Sequence, residues 1–404
     1  MIGFGVKCRL VRYAAVLATA VLSVGAMLAV TSPAAAQARQ RPPSPAALAS
    51  ALWAVSCTSA SACTAVGHYY GSTGASVALA ERWNGTAWTV QSTPNPGGAS
   101  YFNGVSCTSA SACTAVGHYH GSTGATVTLA ERWNGTAWTV QPTPNPSGAT
   151  ASFLNAVSCS SVSACTAVGY YLTSTGATVT LAQRWDGTTW TLQPTPNPSG
   201  ATASYLLGVS CTAASACTAT GFSTTSTGAT VTLAQRWDGT SWAVQPTPNP
   251  SGATASQLYG VSCASASACT AVGNYVTSTG ATVTLAQRWD GTTWTVQPTP
   301  HPSDATASYL NGVSCISVSA CISVGWYQTS PGVYETLAQR WDGTTWTVQS
   351  TPNPSGATAS YLFGVSCASA SACAAAGYTL NPNYTAMAER WDGTTWTVQS
   401  TPNP

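Results

Sequence analysis

The sequence predicts an all-β protein, a seven-bladed β-propeller with four antiparallel strands in each blade and one hairpin disulfide per blade. Three observations predict it. A unit recurs seven times, its paired cysteines opening at Cys57, Cys107, Cys159, Cys211, Cys263, Cys315 and Cys367, 50 residues apart at the first step and 52 thereafter. Each unit holds four short runs of strand-forming residues separated by turn signals, the arithmetic of a propeller blade. Charged residues are only 5% of the chain, too few to cover the solvent faces of long amphipathic helices.

Residues 1–36 read as a signal peptide. Lys7, Arg9 and Arg12 precede the apolar run "YAAVLATAVLSVGAMLAV", and "SPAAAQA" offers small residues for cleavage near Ala36 or Ala38. A membrane anchor is the alternative, but no lipobox Cys follows the apolar run, because Cys8 lies before it. The expected location is therefore extracellular, by secretion. Residues 37–50 form a Pro-rich lead-in, and 51–404 form one propeller with repeats at about 51–100, 101–152, 153–204, 205–256, 257–308, 309–360 and 361–404.

Within 205–250 the runs "YLLGVSC" and "ACTATGF" flank the turn "TAASA", while "ATVTLAQRW" and "SWAVQPT" flank "DGT". Asp-Gly and Asn-Gly are strong hairpin signals, and Thr, Val and Trp favour strands. Each unit leaves through "PNPSGATAS", whose prolines end ladder pairing. A β-helix or a string of separate modules would also repeat in this way, since repetition alone does not close a ring.

The order "GVSC…ACTAVG…LAQRWDGTTWTVQPTP" resembles the kelch group of propellers, in which a Gly closes the second strand and an aromatic-Asp-turn-Trp hairpin joins the third and fourth. It covers all seven units, with one Gly and a varied residue, as in Gly169-Tyr170, where kelch repeats usually carry a Gly pair. The piece "DGTTW" is also similar to the Asp-box of sialidase-like propellers, one residue short of that pattern. The resemblance implies an architecture and not an activity.

Removal of the signal leaves fourteen cysteines, an even number in an exported chain, which argues for disulfides. The pairs Cys57 and Cys63, Cys107 and Cys113, Cys159 and Cys165, Cys211 and Cys217, Cys263 and Cys269, Cys315 and Cys321, and Cys367 and Cys373 each span the neck of the first hairpin. Two-Cys sites without a matching His would be poor metal ligand sets, and the spacing is not that of Cys-x-x-Cys redox motifs. No cofactor and no metal are expected.

The third-to-fourth hairpin carries an invariant arginine: Arg82, Arg132, Arg184, Arg236, Arg288, Arg340 and Arg390. Its neighbours trade charge. Where the residue after Trp is neutral, at Asn84 and Asn134, the residue before Arg is Glu81 or Glu131; copies three to six read "QRWD". The expectation is a structural arginine that ties either a nearby carboxylate, which shifts position between copies, or backbone carbonyls between blades. The two Trp columns, such as Trp289 and Trp294, are expected to pack between blades and not to stack on sugar.

Variation between copies concentrates on the opposite rim. After the Gly ending the second strand stand His68, His118, Tyr170, Phe222, Asn274, Trp326 and Tyr378. Four residues before each first Cys stand Trp53, Asn103, Asn155, Leu207, Tyr259, Asn311 and Phe363, expected to ring the mouth of a central channel. Aromatic and amide side chains around a concavity suit carbohydrate or an extended peptide. The expected ligand contacts are Trp53, His118, Tyr170, Phe222, Tyr259, Trp326, Phe363 and Tyr378, on a partner that is a neutral glycan or an extracellular protein.

The function expected is non-catalytic binding by a monomer. A structural or adhesive surface protein is the main alternative, and a propeller glycosidase or lyase a further one. Outside the hairpin the mature chain offers only Asp304 and Glu335 as carboxylates, and His68, His118, His120 and His301 as imidazoles. The pair "HYH" at 118–120 lacks a third metal ligand. Nine Arg against ten Asp plus Glu, with no Lys, leave no cationic patch for nucleic acid or anionic lipid.

Overall fold

The computed structural model describes residues 49–330 and 332–404, which contain 28 strands and no helix. The signal peptide and nearly all of the lead-in lie outside the described residues. The strands fall into seven consecutive antiparallel sets of four. In the fifth, Ala255–Ser265 pairs with Ala268–Val276, that strand with Thr282–Trp289, and the last with Trp294–Gln297. The fourth strand is only four residues long and half exposed, so the outer edge offers little backbone for pairing with another chain.

One row crosses each repeat: Cys263 faces Cys269, Cys269 faces Trp289, and Trp289 faces Trp294. The cysteines are directly opposite in the ladder, with Cα atoms 3.9 Å apart, and they are bonded. The same pairing recurs in all seven repeats. Closing so short a loop contributes on the order of 2 kcal/mol per bridge. Thiol titration of the unfolded, unreduced mature chain is expected to find no free thiol.

The core lies between repeats. Leu258, Val261, Ala271, Leu285, Trp289 and Trp294 of the fifth pack on Ala234 of the fourth. The same layer joins the seventh repeat to the first, where Leu52, Leu79 and Trp83 meet Ala374, Ala376, Ala386 and Ala388. That junction is also tied by Ser50 donating to Asn403 Oδ1 at 2.7 Å and by the Cys57 amide donating to Ser366 Oγ at 2.9 Å. The last repeat thus docks on the first, unlike a β-helix or a string of separate modules.

The repeats are not all separate sheets. The first stands alone, but single parallel bridges such as Thr282 to Ala307 join the other six into one continuous sheet.

Every first strand carries a β-bulge that the sequence pattern conceals. In the fifth repeat Leu258 faces Gly273 and Gly260 faces Val272, leaving Tyr259 as the extra residue. The bulge brings backbone against the second strand: a Cβ on Gly273 would lie 1.9 Å from the Gln257 carbonyl oxygen. This close approach explains the Gly column, which lies inside the second strand and does not end it as expected, since the strand runs on to Val276.

Candidate functional site

The two rims differ in chemistry. On the rim of the cysteine and tryptophan hairpins, the turn is built by its Asx residue: Asp290 Oδ1 accepts from the amides of Thr292 and Thr293 at 2.8 and 2.7 Å, and Gly291 takes φ 102°. These bonds hold the Asp290 carboxyl well below the usual range, the Thr293 amide contributing most.

Arg288 reaches forward to the next repeat. Its guanidinium lies 4.7 Å from the Trp341 ring centroid and donates to the Val318 carbonyl at 2.7 Å. Arg82, Arg132, Arg184 and Arg236 make the same two contacts, and Arg390 stacks over Trp83 across the closing junction. In the sixth repeat Arg340 is exposed and makes neither contact. Ile322 faces it where most other repeats carry Thr, and the Ala370 carbonyl accepts from Trp391 Nε1 instead.

The expected carboxylate partner is not there. Glu81, Glu131 and Glu389 are fully buried, with no hydrogen-bond partner on either oxygen. Adjacent strand residues point to opposite faces, so the side chain before each Arg enters the junction with the preceding repeat while the Arg reaches the following one. In four repeats this position is Gln, whose Nε2 donates to a proline carbonyl of the preceding repeat, as from Gln287 to Pro248 at 2.8 Å. Burial alone pushes the three glutamic acids up to about 8. In five repeats the guanidinium meets an aromatic face and a carbonyl, not the shifting carboxylate, although Arg82 Nε and, in the seventh repeat, Arg390 Nη1 have no hydrogen-bond partner.

Arg288→Ala is expected to lower stability by about 1–2 kcal/mol, through loss of one cation–π contact and one charged hydrogen bond at a partly exposed site. Equilibrium urea unfolding measures it. Both Trp columns are buried, Trp289 at 6% and Trp294 at 4% exposure, so neither is open to a sugar.

The opposite rim carries an aromatic girdle. Tyr101 stacks on His118, Phe153 on Tyr170, Tyr205 on Phe222 and Tyr309 on Trp326, at centroid separations of 4.8, 4.8, 4.6 and 3.9 Å. Edge-to-face contacts link the repeats: His68 to Tyr101, His118 to Phe153, Tyr170 to Tyr205 and Trp326 to Tyr361, at 5.0, 4.9, 4.9 and 5.3 Å. Across the closing junction Trp53 meets Phe363 at 4.6 Å and donates from Nε1 to His68 Nδ1 at 3.0 Å. Tyr378 packs on Tyr361 and Phe363.

These separations are favourable for aromatic pairs, and most of the rings are half-buried. From Tyr309 through the closing junction to Phe222 the contacts are unbroken; they lapse only in the fifth repeat, where Gln257 faces Asn274.

Seven of the eight expected contact residues join this girdle. Tyr259 does not: it is the bulge residue, 8% exposed, and its hydroxyl donates to Gln257 Oε1. The amides of its column also turn inward, Asn103, Asn155 and Asn311 each donating to the innermost strand of the next repeat at 2.8 Å. That column is largely a seam between repeats and not an open ring of contacts.

Sequence reasoning missed Tyr101, Phe153, Tyr205, Tyr309 and Tyr361. Their signal was present, an aromatic six residues before the first Cys in five copies.

Burial holds His68 down at about 4 and His118 at about 3, the latter helped by His120 and His68. Glu335 accepts from the Tyr327 hydroxyl at 2.6 Å. Among the described residues no three His, Cys, Asp or Glu side chains are grouped to hold a metal, and no helix is long and apolar enough to cross a membrane.

No protein-family model matches the chain, and no curated protein matches it. Solved structures resemble it. A PL25 polysaccharide lyase, ulvan lyase, superposes with a TM-score of 0.53 at 9% identity over 87% of this chain and 96% of that one. The same enzyme bound to a -[GlcA(1-4)Rha3S]- unit gives 0.52 at 10% identity with the same coverage. The six-bladed β-propeller lectin of Aleuria aurantia gives 0.41 at 11% identity over 88% and 96%. At 9–10% identity the likeness to the lyase is one of fold alone.

Proposed function

We propose that the chain is a secreted, monomeric, seven-bladed β-propeller of kelch-like repeats that binds a neutral glycan at an extracellular surface and catalyses no reaction. The observation that carries this reading is the girdle, because aromatic side chains gather on the one rim where the repeats disagree. Apolar ring faces suit the C–H faces of sugars, and neighbouring amides suit their hydroxyls.

The kelch-like assignment rests on the Gly that the bulge requires and on the Asp-turn-Trp hairpin. Seven hairpin disulfides fit an oxidising, extracellular setting. The non-catalytic reading is supported by the acid inventory, since Glu335 is engaged by Tyr327 and Asp304 is the only other carboxylate outside the repeated hairpin.

On an array of neutral oligosaccharides the protein is expected to give discrete positives that Trp326→Ala abolishes while the melting temperature stays within a few degrees. Silence across the array would favour a structural or adhesive role, in which the girdle serves only to pack the rim.

A further inference from the structure

We infer that the break in the aromatic girdle, at Gln257 and Asn274 of the fifth repeat, is the polar recognition notch for a hydroxyl-bearing neutral saccharide. This rests on the glycan-binding reading above. Every other repeat places at least one aromatic or imidazole ring in this pair of facing positions: Tyr205 with Phe222 in the fourth, Tyr309 with Trp326 in the sixth. In the fifth both are amides.

Asn274 is 6% exposed, and its Oδ1 has no hydrogen-bond partner. An orphan acceptor in such a place costs about 1–3 kcal/mol until a donor reaches it. The Gln257 carbonyl already accepts from Tyr259, which fixes that amide's orientation and leaves its NH₂ as a donor. One acceptor and one donor facing each other across a strand pair match the donor-and-acceptor character of sugar hydroxyls.

The register sets this pair between Phe222 and Tyr309, whose rings can take the apolar face of a pyranose. All seven hairpin arginines stand on the opposite rim, so no fixed cation here would call for an acidic sugar.

The test uses the methyl glycosides of glucose, galactose, mannose and fucose as probes, with ligand-observed saturation-transfer NMR on the mature chain. At least one is expected to bind. Gln257→Tyr with Asn274→Phe, which rebuilds the fourth repeat's aromatic pair, is expected to weaken binding about tenfold or more without lowering the melting temperature. Asn274→Ala removes that carboxamide while leaving Gln257 in place and is expected to act in the same direction, so the test survives a double variant that fails to fold.

Undiminished binding by folded Asn274→Ala, with loss in Trp326→Ala, would overturn the notch and leave glycan binding standing. No binding of any probe by the unaltered protein would overturn both.

Discussion

Raising the pH from about 6.5 to about 9 is expected to lower the melting temperature steeply, and Glu81→Gln, Glu131→Gln and Glu389→Gln together to remove most of that fall. The three carboxyls lie at consecutive junctions, seventh to first, first to second and sixth to seventh, each buried to 0% exposure. Burial raises them from near 4.5 to about 8.

Between those values the folded chain keeps a proton that the unfolded chain has released. Stability is therefore greatest at or below the unfolded value and is lost as pH climbs toward about 8. One proton corresponds to about 1.4 kcal/mol per pH unit, so three acting together give up to about 4 kcal/mol per unit.

Starting near 6.5 keeps the buried histidines out of the experiment. His68 and His118 are depressed, so their penalty appears only as pH falls below about 6.5. Gln is the natural replacement, because four repeats already use it to donate to a proline carbonyl. A melting temperature that stays flat from pH 6.5 to 9 in the parent chain would show that these carboxyls reach water or a partner when folded.

Gly273→Ala is expected to destabilise the fold by about 3 kcal/mol or more, at the upper end for single substitutions. A Cβ there meets the Gln257 carbonyl oxygen at 1.9 Å and the Leu258 Cα at 2.9 Å. Both are backbone atoms of the bulged strand, so no rotamer change relieves the clash. Relief requires the bulge to open, which would withdraw Leu258 from full burial. Gly280→Ala is the control: it has nothing within 4 Å of its Cβ, and its φ of 86° costs only local strain of about 1–2 kcal/mol. Urea unfolding of the two variants should separate them clearly.

The architecture was legible in the sequence because it is written seven times. Cysteine spacing and Asx-Gly turns located the strands and the disulfides, while the fourth strand, expected over "SWAVQPT", is only Trp242–Gln245. The bulge was not legible. Counting back from Cys263 in a regular ladder sets Leu258 opposite Asn274; one extra residue instead sets Gln257 there and sends Leu258 into the core. The position six before the cysteine joins the girdle in five repeats, while the one four before joins it only at Trp53 and Phe363.

Of the two partners expected for the arginine, the backbone carbonyl of the next repeat is found and the carboxylate is not. Glu81 and Arg82 are neighbours in sequence, yet a strand turns them to opposite junctions. The apparent trade of charge at Glu81 and Asn84 reflects two separate positions, a buried seam and a turn cap.

The most direct test of the binding rim is a tryptophan-fluorescence titration of the mature protein with the neutral oligosaccharide that gives the strongest array signal, run beside Trp326→Ala and Arg288→Ala. The expected result is saturable binding by the parent, loss in Trp326→Ala, and near-parent affinity in Arg288→Ala despite its lower stability. Binding that persists in folded Trp326→Ala and disappears in folded Arg288→Ala would place the ligand on the hairpin rim and contradict the account.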